Sequence, residues 1–271
     1  MFLEVKAIDN IMQKFAPDQL KEDYDNVGLM VGDKDARVTK ILIALDCTLD
    51  VIREAVDKGC NFILTHHPLL FSRPKTITKD TLVGKKIIEL IKNEINVYSS
   101  HTNLDSAQGG LNDIVTEILG FNKYKIIEPS KKMGSDLSCA GLGRLVTLDE
   151  AVRLDVLCDN VKNTLKTEFI RYVGHDSDLI KTIAIINGSG EDFFDESKRL
   201  GADCIITGDT KYHGACDLSE ETIALIDAGH FATEWNPFKI FGKKFKSELL
   251  DNGYDNEVIF SQNTFDPYKI K

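Results

Sequence analysis

Three short apolar runs, at residues 41–45, 62–65 and 95–99, are separated by two stretches of helical period, and that alternation confines the first half of the chain to a layered α/β fold. The runs are too short for buried helices, and their Ile, Leu, Val and Phe content suits strands covered on both faces. Between them, residues 49–58 form an amphipathic helix closed by Gly59. Residues 82–93 form another, with Leu82, Val83, Ile87, Leu90 and Ile91 on one face. Joined β-α-β units imply a mostly parallel sheet covered by helices, with the carboxyl ends of its strands along one edge. In open α/β sheets that edge is where ligands bind.

Two of these strand ends carry histidine. The second run leads into Thr65-His66-His67-Pro68-Leu69-Leu70-Phe71, and the third into Ser100-His101-Thr102-Asn103-Leu104-Asp105. Neighbouring side chains in a regular strand point to opposite faces. Pro68 also biases His67 away from helical geometry, so His66 and His67 converge only if they sit in a turn beyond the strand. Asp46, just after the first run, reads as an N-terminal cap of the following helix.

The rest of the chain extends the pattern. Residues 5–15 are helical, with Val5, Ile8, Ile11, Met12 and Phe15 at the right spacing and Pro17 beyond, and residues 26–32 make a glycine-bounded strand. Gly109-Gly110 opens a helix over 111–119 that stops at Gly120. Periodicity lapses over 124–138, where Pro129, Ser130, Lys131, Lys132 and Gly134 cluster, and this marks a domain boundary. Thr147-Leu148-Asp149-Glu150 matches a capping box before a helix carrying Ala151, Leu154, Leu157, Val161 and Leu165. Strands at 182–187, 204–207 and 222–226 and a helix at 192–200 complete a second lobe, in which Gly208-Asp209-Thr210-Lys211-Tyr212-His213 is a loop. The last strand runs into Asp227-Ala228-Gly229-His230-Phe231-Ala232-Thr233-Glu234-Trp235. Four residues apart, His230 and Glu234 share a face if this turn is helical, although Pro237 predicts a kink or a later start. A helix over 238–250, with Phe238, Phe241, Phe245 and Leu249 on one stripe, and a strand over 257–261 follow. The expected architecture is two similar α/β lobes with mixed, mostly parallel sheets: residues 1–125 with about 235–271, and residues 126–234.

Composition excludes several function classes. With 33 Lys and Arg against 43 Asp and Glu, the net charge of −10 argues against broad nucleic-acid binding. There is no apolar run long enough to span a membrane, and the first residues follow an amphipathic pattern and not that of a signal peptide, so a cytoplasmic location is expected. Cys47, Cys60, Cys139, Cys158, Cys204 and Cys216 form no C-x-x-C pair and mostly lie in apolar segments, as reduced core residues do. His175 reads as a surface loop residue. Asn187-Gly188-Ser189-Gly190-Glu191 joins a strand to a helix, but the acids beside it make a poor phosphate loop.

Mixed imidazole and carboxylate donors suit divalent zinc, iron, manganese, nickel or cobalt. A carboxylate can bridge two cations, and two ions polarise a substrate oxygen and acidify a bound water, so hydrolysis by metal-bound hydroxide is the chemistry expected, with no organic cofactor. His101 and His213 are candidate proton relays. The motifs Asn26-Val27-Gly28-Leu29-Met30-Val31-Gly32, Thr65-His66-His67-Pro68, His101-Thr102-Asn103-Leu104-Asp105, Gly208-Asp209 with His213, and Gly229-His230-Phe231-Ala232-Thr233-Glu234 resemble, in order, those of the Nif-three-like proteins, also called GTP cyclohydrolase I type 2 homologues. The resemblance implies two metal ions in a cleft between the lobes. His66 and His67 would serve different ions, Asp105 and His230 would add one ligand each, and Glu234 would bridge. It also implies a toroidal homohexamer and the short form without an inserted domain. The function expected is that of a metal-dependent hydrolase, GTP cyclohydrolase-like or acting on another nucleotide or a small phosphate-bearing or cyclic-amide compound. The alternative class is a metal-containing scaffold or regulatory protein.

Overall fold

The structure is a computed structural model that describes residues 2–131 and 139–271. The chain divides into two compact units, Met1–Leu104 with Phe238–Lys271, and Asp105–Pro237.

The first unit begins with helix α1 (Val5–Phe15), whose Val5, Ile8, Ile11 and Met12 are buried. Then come strands β1 (Gly28–Val31) and β2 (Lys40–Ala44), helix α2 (Leu49–Asp57), strand β3 (Phe62–Thr65), helix α3 (Leu82–Lys92) and strand β4 (Asn96–Ser99). Within the short helix α4 (Thr102–Ser106) the chain leaves this unit. The sheet order is β1-β4-β3-β2-β11, where β11 (Glu257–Phe260) is the last strand of the chain. β4, β3, β2 and β11 run parallel and β1 is antiparallel. Leu42, Ala44, Val51, Ile63, Leu90 and Val97 form the core where helices α2 and α3 cover the sheet.

Helix α2 is capped by Thr48, whose side chain accepts a hydrogen bond from Val51 N, and not by Asp46. Its Glu54 is buried and clamps the chain beyond β11. Its carboxylate accepts from Ser261 Oγ (2.6 Å), Gln262 N (3.0 Å), Asn263 N (3.2 Å) and Lys58 Nζ (2.6 Å). Burial opposes the charge but is outweighed by the Gln262 N–H, the Lys58 ammonium and the Ser261 hydroxyl, which hold this carboxyl at about 2 instead of 4.5. A depressed folded-state value stabilises above the unfolded value, and the contribution disappears as pH falls from about 4.5 toward 2. Wild-type protein should therefore lose stability across that window, and Glu54→Gln should cost roughly 2–3 kcal/mol at neutral pH while flattening the acid limb, as read by urea denaturation at several pH values.

The second unit holds helix α5 (Leu111–Ile118), strands β5 (Lys125–Pro129) and β6 (Gly141–Arg153), helix α6 (Leu154–Leu165), and strands β7 (Arg171–Val173) and β8 (Leu179–Ser189). A 3-10 turn at Glu191–Phe193 leads into helix α7 (Phe194–Arg199). Strand β9 (Cys204–Gly208), helix α8 (Tyr212–Glu220) and strand β10 (Ala224–Asp227) follow, and helix α9 (His230–Asp251) starts here, its residues from Phe238 onward belonging to the first unit. The sheet order of the second unit is β5-β6-β8-β9-β10-β7, with β8, β9 and β10 parallel and the other pairings antiparallel, so both sheets are mixed. On β8, Ile183 and Ile185 enter one core with Leu157, Val161 and Ile206, whereas Ala184 and Ile186 enter another with Ile205, Leu218 and Phe194. This two-residue alternation is the signature of a strand buried on both faces.

Several expectations need correction. Thr147-Leu148-Asp149-Glu150 is no cap: it lies within β6, where the register against β8 shifts between Thr147 and Val152, and the helix begins only at Leu154. Pairing with β8 at Thr147 and again at Val152 and Arg153 carries the strand through an irregularity and overrides the four-residue local match. Residues 124–138 do not simply lapse, because Lys125–Pro129 is strand β5; residues 132–138 of that stretch lie outside the described ones. The chain leaves the first unit at Leu104, well before residue 125, because Val115 and Leu119 pack into the core around α6. Helix α9 includes Pro237, which donates no backbone hydrogen bond, and starts on time at His230. Among the described residues, no helix is long and apolar enough to cross a membrane. Cys47, Cys60, Cys158 and Cys204 are buried thiols outside any disulfide, and burial pushes those of Cys47 and Cys158 up to about 12 and about 11.

Candidate metal centre

Parallel register aligns the strand ends of the first unit. Ala44 pairs with Thr65 and Thr65 with Ser99, so the residues that follow, Asp46, His66, His67, Ser100 and His101, emerge side by side at one edge. Thr65 Oγ donates to the His67 carbonyl at 2.9 Å and His67 N donates to Leu45 O at 3.0 Å, fixing the turn that lets both imidazoles converge. The three ring pairs among His66, His67 and His101 have centroid separations of 5.1–5.7 Å. Each of these residues can offer a ring nitrogen within 4.8 Å of the other two, a spacing that can hold a metal ion.

Every one of these rings is oriented through Nδ1. His66 Nδ1 donates to Ser100 O at 2.8 Å, His67 Nδ1 bonds Asp46 Oδ1 at 2.9 Å, and His101 Nδ1 bonds Asp25 Oδ1 at 2.9 Å. Asp25 is itself buried and accepts from Thr102 N (3.1 Å) and Thr102 Oγ (2.5 Å). Burial disfavours its charge, but hydrogen bonding and charge from His101, with help from Thr102, hold the carboxyl well below the usual range. An acceptor at Nδ1 fixes the tautomer that presents Nε2 with its lone pair, as is usual for metal-binding histidines.

The second unit builds a comparable arrangement around the start of α9. His230 Nδ1 bonds Asp209 Oδ2 at 2.9 Å, and its Nε2 lies 2.9 Å from Glu234 Oε2 one helical turn on. With carboxylates against both ring nitrogens, charge balance favours a proton or a metal cation between Nε2 and Glu234. Asp209 stands at the end of β9 with φ of +55°. The following Thr210 is tied down by Asp227, which accepts from Thr210 N (3.2 Å) and Oγ (2.6 Å), from Gly229 N (3.0 Å) and from Arg171. Asp105 is held by two asparagines: Asn187 Nδ2 donates to its Oδ1 at 2.7 Å and Asn112 Nδ2 to its carbonyl at 3.1 Å. Next to Asn187 in the chain is Gly188, where a Cβ would stand 2.3 Å from Glu234 Oε1. This glycine, near the end of β8, makes room for a carboxylate.

His66, His67 and His101 thus come together in one unit, and His230 and Glu234 in the other, where Asp105 is also fixed. His213 is exposed on α8, and His175 is exposed in a loop. Four groups that orient these side chains, Asp25, Asp46, Asp209 and Asn187, have no ligand role in the sequence reading. Asp46 was assigned to a cap, and Asp25 sits in an aperiodic loop that carries no signal. Asp46 and Asp209 both stand just past strand ends, and Asp209 is part of the Gly208-Asp209 motif, but spacing alone gives neither of them a histidine to hold. The donor chemistry, neutral imidazole nitrogen with carboxylate oxygen and outer-shell acceptors in place, fits a first-row divalent ion.

The fold and these donors define a two-unit α/β protein with metal-ligand chemistry at its strand ends. The chain belongs to the Duf34/NIF3 (NGG1p interacting factor 3) family, whose model matches residues 3–267. It is 53% identical over 271 residues to a GTP cyclohydrolase 1 type 2 homolog of Clostridium acetobutylicum, covering 100% of both chains. To the Clostridium perfringens homolog it is 50% identical over 268 residues, with 99% of this chain and 100% of that one covered. Among solved structures, a Staphylococcus aureus hypothetical protein, SA1388, is similar with a TM-score of 0.91 at 29% identity, covering 100% of each chain.

Proposed function

We propose that the protein is a dinuclear divalent-metal hydrolase acting on a small molecule of the nucleotide or phosphoester class. In this reading His66, His67, Asp105, His230 and Glu234 would hold the ions. The observation that carries it is the uniform use of Nδ1: His66, His67, His101 and His230 all give that nitrogen to an oxygen acceptor and so turn Nε2 to coordination or proton transfer. Kinship with proteins called GTP cyclohydrolase 1 type 2 homologs supports the substrate class.

When bound, two ions supply Lewis-acid polarisation of a substrate oxygen. The chain's own residues do the rest. His101 holds its proton at Nδ1 against Asp25 and offers Nε2 as an acceptor for a proton released in the reaction. Exposed His213 is the second candidate relay. Asp46 and Asp209 keep their imidazoles from rotating when substrate enters, and Asn187 does the same for Asp105. A homohexamer, as the resemblance implies, and a cytoplasmic location complete the reading.

Protein reconstituted with excess zinc, manganese or iron and then desalted should carry about two ions per chain by elemental analysis. It should turn over at least one compound in a panel of GTP, other nucleotides and phosphoesters, and Glu234→Ala should abolish turnover. A metal content near zero would sink the metal reading. Metal-loaded protein inert to the whole panel would instead favour the scaffold class.

A further inference from the structure

Beside the imidazole cluster of the first unit stand two aromatic rings that the proposed chemistry does not use. Tyr24 is 67% exposed and Phe71 is 52% exposed. They come from different loops and meet at 6.2 Å between centroids with planes inclined by 52°. Phe71 in turn lies 6.4 Å from the ring of His101, nearly edge-on at 78°. The pair is therefore continuous with the imidazoles.

The arrangement is built. Asn26 Nδ2 donates to Leu70 O at 2.7 Å, fastening the Tyr24 loop to the segment that carries Phe71. The residue between Tyr24 and Asn26 is Asp25, which holds His101 and Thr102. Three consecutive residues thus place an aromatic face, orient an imidazole and fix the neighbouring loop. Elsewhere in the unit, the cavity of about 730 Å³ beside α3, lined by Met30, Ile77, Ile87, Leu90 and Ile91, has an apolar floor, but Asn61 and Asn96 at its rim are already engaged with backbone.

We propose that Tyr24 and Phe71 form a binding wall for a planar heteroaromatic ring of the substrate, placing the rest of that molecule against the imidazole cluster. This rests on the reading of the cluster as a metal-dependent site, and it narrows the substrate to molecules carrying such a ring. A centroid distance of 6.2 Å is too short for a ring to slot between the two side chains, which needs about 7 Å for two van der Waals contacts. The bound ring stacks on one face and meets the other residue edge-on, the offset geometry aromatic quadrupoles favour. Stacking of this kind tolerates different heterocycles because every base has a π-face.

The test uses guanosine and adenosine, which lack phosphate, with ribose as the control lacking the ring, titrated into the full-length protein by calorimetry with and without reconstituted zinc. Both nucleosides should bind saturably and ribose should not. Tyr24→Ala and Phe71→Ala should each weaken nucleoside binding roughly 10- to 100-fold, whereas Tyr24→Phe and Phe71→Trp should retain it. Zinc content of every variant should equal that of the parent. Absence of saturable nucleoside binding overturns the proposal, and so does binding that both alanine variants leave unchanged. A change in oligomeric state with unaltered nucleoside affinity overturns it too, by assigning the two rings to a contact between copies. A parent protein that takes up no zinc defeats the metal reading alone, since the titration without zinc still decides the wall.

Discussion

Gly188→Ala is expected to weaken metal binding by about 10- to 100-fold, measured by competition with a chelator, while leaving the protein folded. The new Cβ would stand 2.3 Å from Glu234 Oε1 and 3.2 Å from its carboxyl carbon, so the carboxylate must move. A glutamate side chain can swing away, and for that reason the loss should fall on the ligand set more than on stability. Gly188 also has φ of +63°, where a side chain costs about 1 kcal/mol. Gly201→Ala separates the two effects. That glycine has φ of +83° with nothing within 4 Å of its Cβ position, so it should show the backbone cost and keep full metal affinity. Equal metal affinity in both variants would remove Glu234 from the ligand set.

Asp113→Ala should cost roughly 3–5 kcal/mol of stability, the largest loss expected of any single change here, as read by urea denaturation. Its partner Arg144 is fully buried, and the guanidinium bonds Asp113, Gly141 O (2.8 Å) and Gly143 O (2.9 Å). The two carbonyls satisfy hydrogen-bond geometry but carry no compensating charge. Removing the carboxylate therefore leaves a buried cation, and Gly109 N, 2.5 Å from Asp113 Oδ2, loses its acceptor as well. The double variant Asp113→Leu with Arg144→Met should recover most of the loss, because an ion pair can be replaced by apolar groups far more cheaply than it can be broken. A double variant no more stable than Asp113→Ala would refute this account.

How much of this could be read from residues varied with burial. Strand β3 and helix α1 fall where periodicity puts them, since buried strands and amphipathic helices write their environment into consecutive residues. Strands β5 and β7 escaped because they are sheet edges with mostly exposed residues, and their pairing comes from β6 and β10. Helix α8 escaped because Leu218 is its one buried residue among those described. Assignment of α5 to the first lobe followed chain order, but helices go where their apolar face is covered, and Val115 is covered by the second core.

What the sequence alone determined is the layered α/β class, the family, and the histidines and acids at strand ends, because those depend on residue types at short spacing. What only the tertiary structure decided is which groups hold those side chains: Asp25 lies 76 residues from His101, Asn187 82 residues from Asp105, and Asp209 21 residues from His230. A hydrogen bond between residues that far apart leaves no periodic trace, since it forms only after strand pairing has brought the loops together. The same holds for the aromatic pair Tyr24 and Phe71, two ordinary loop residues until the fold sets them beside an imidazole.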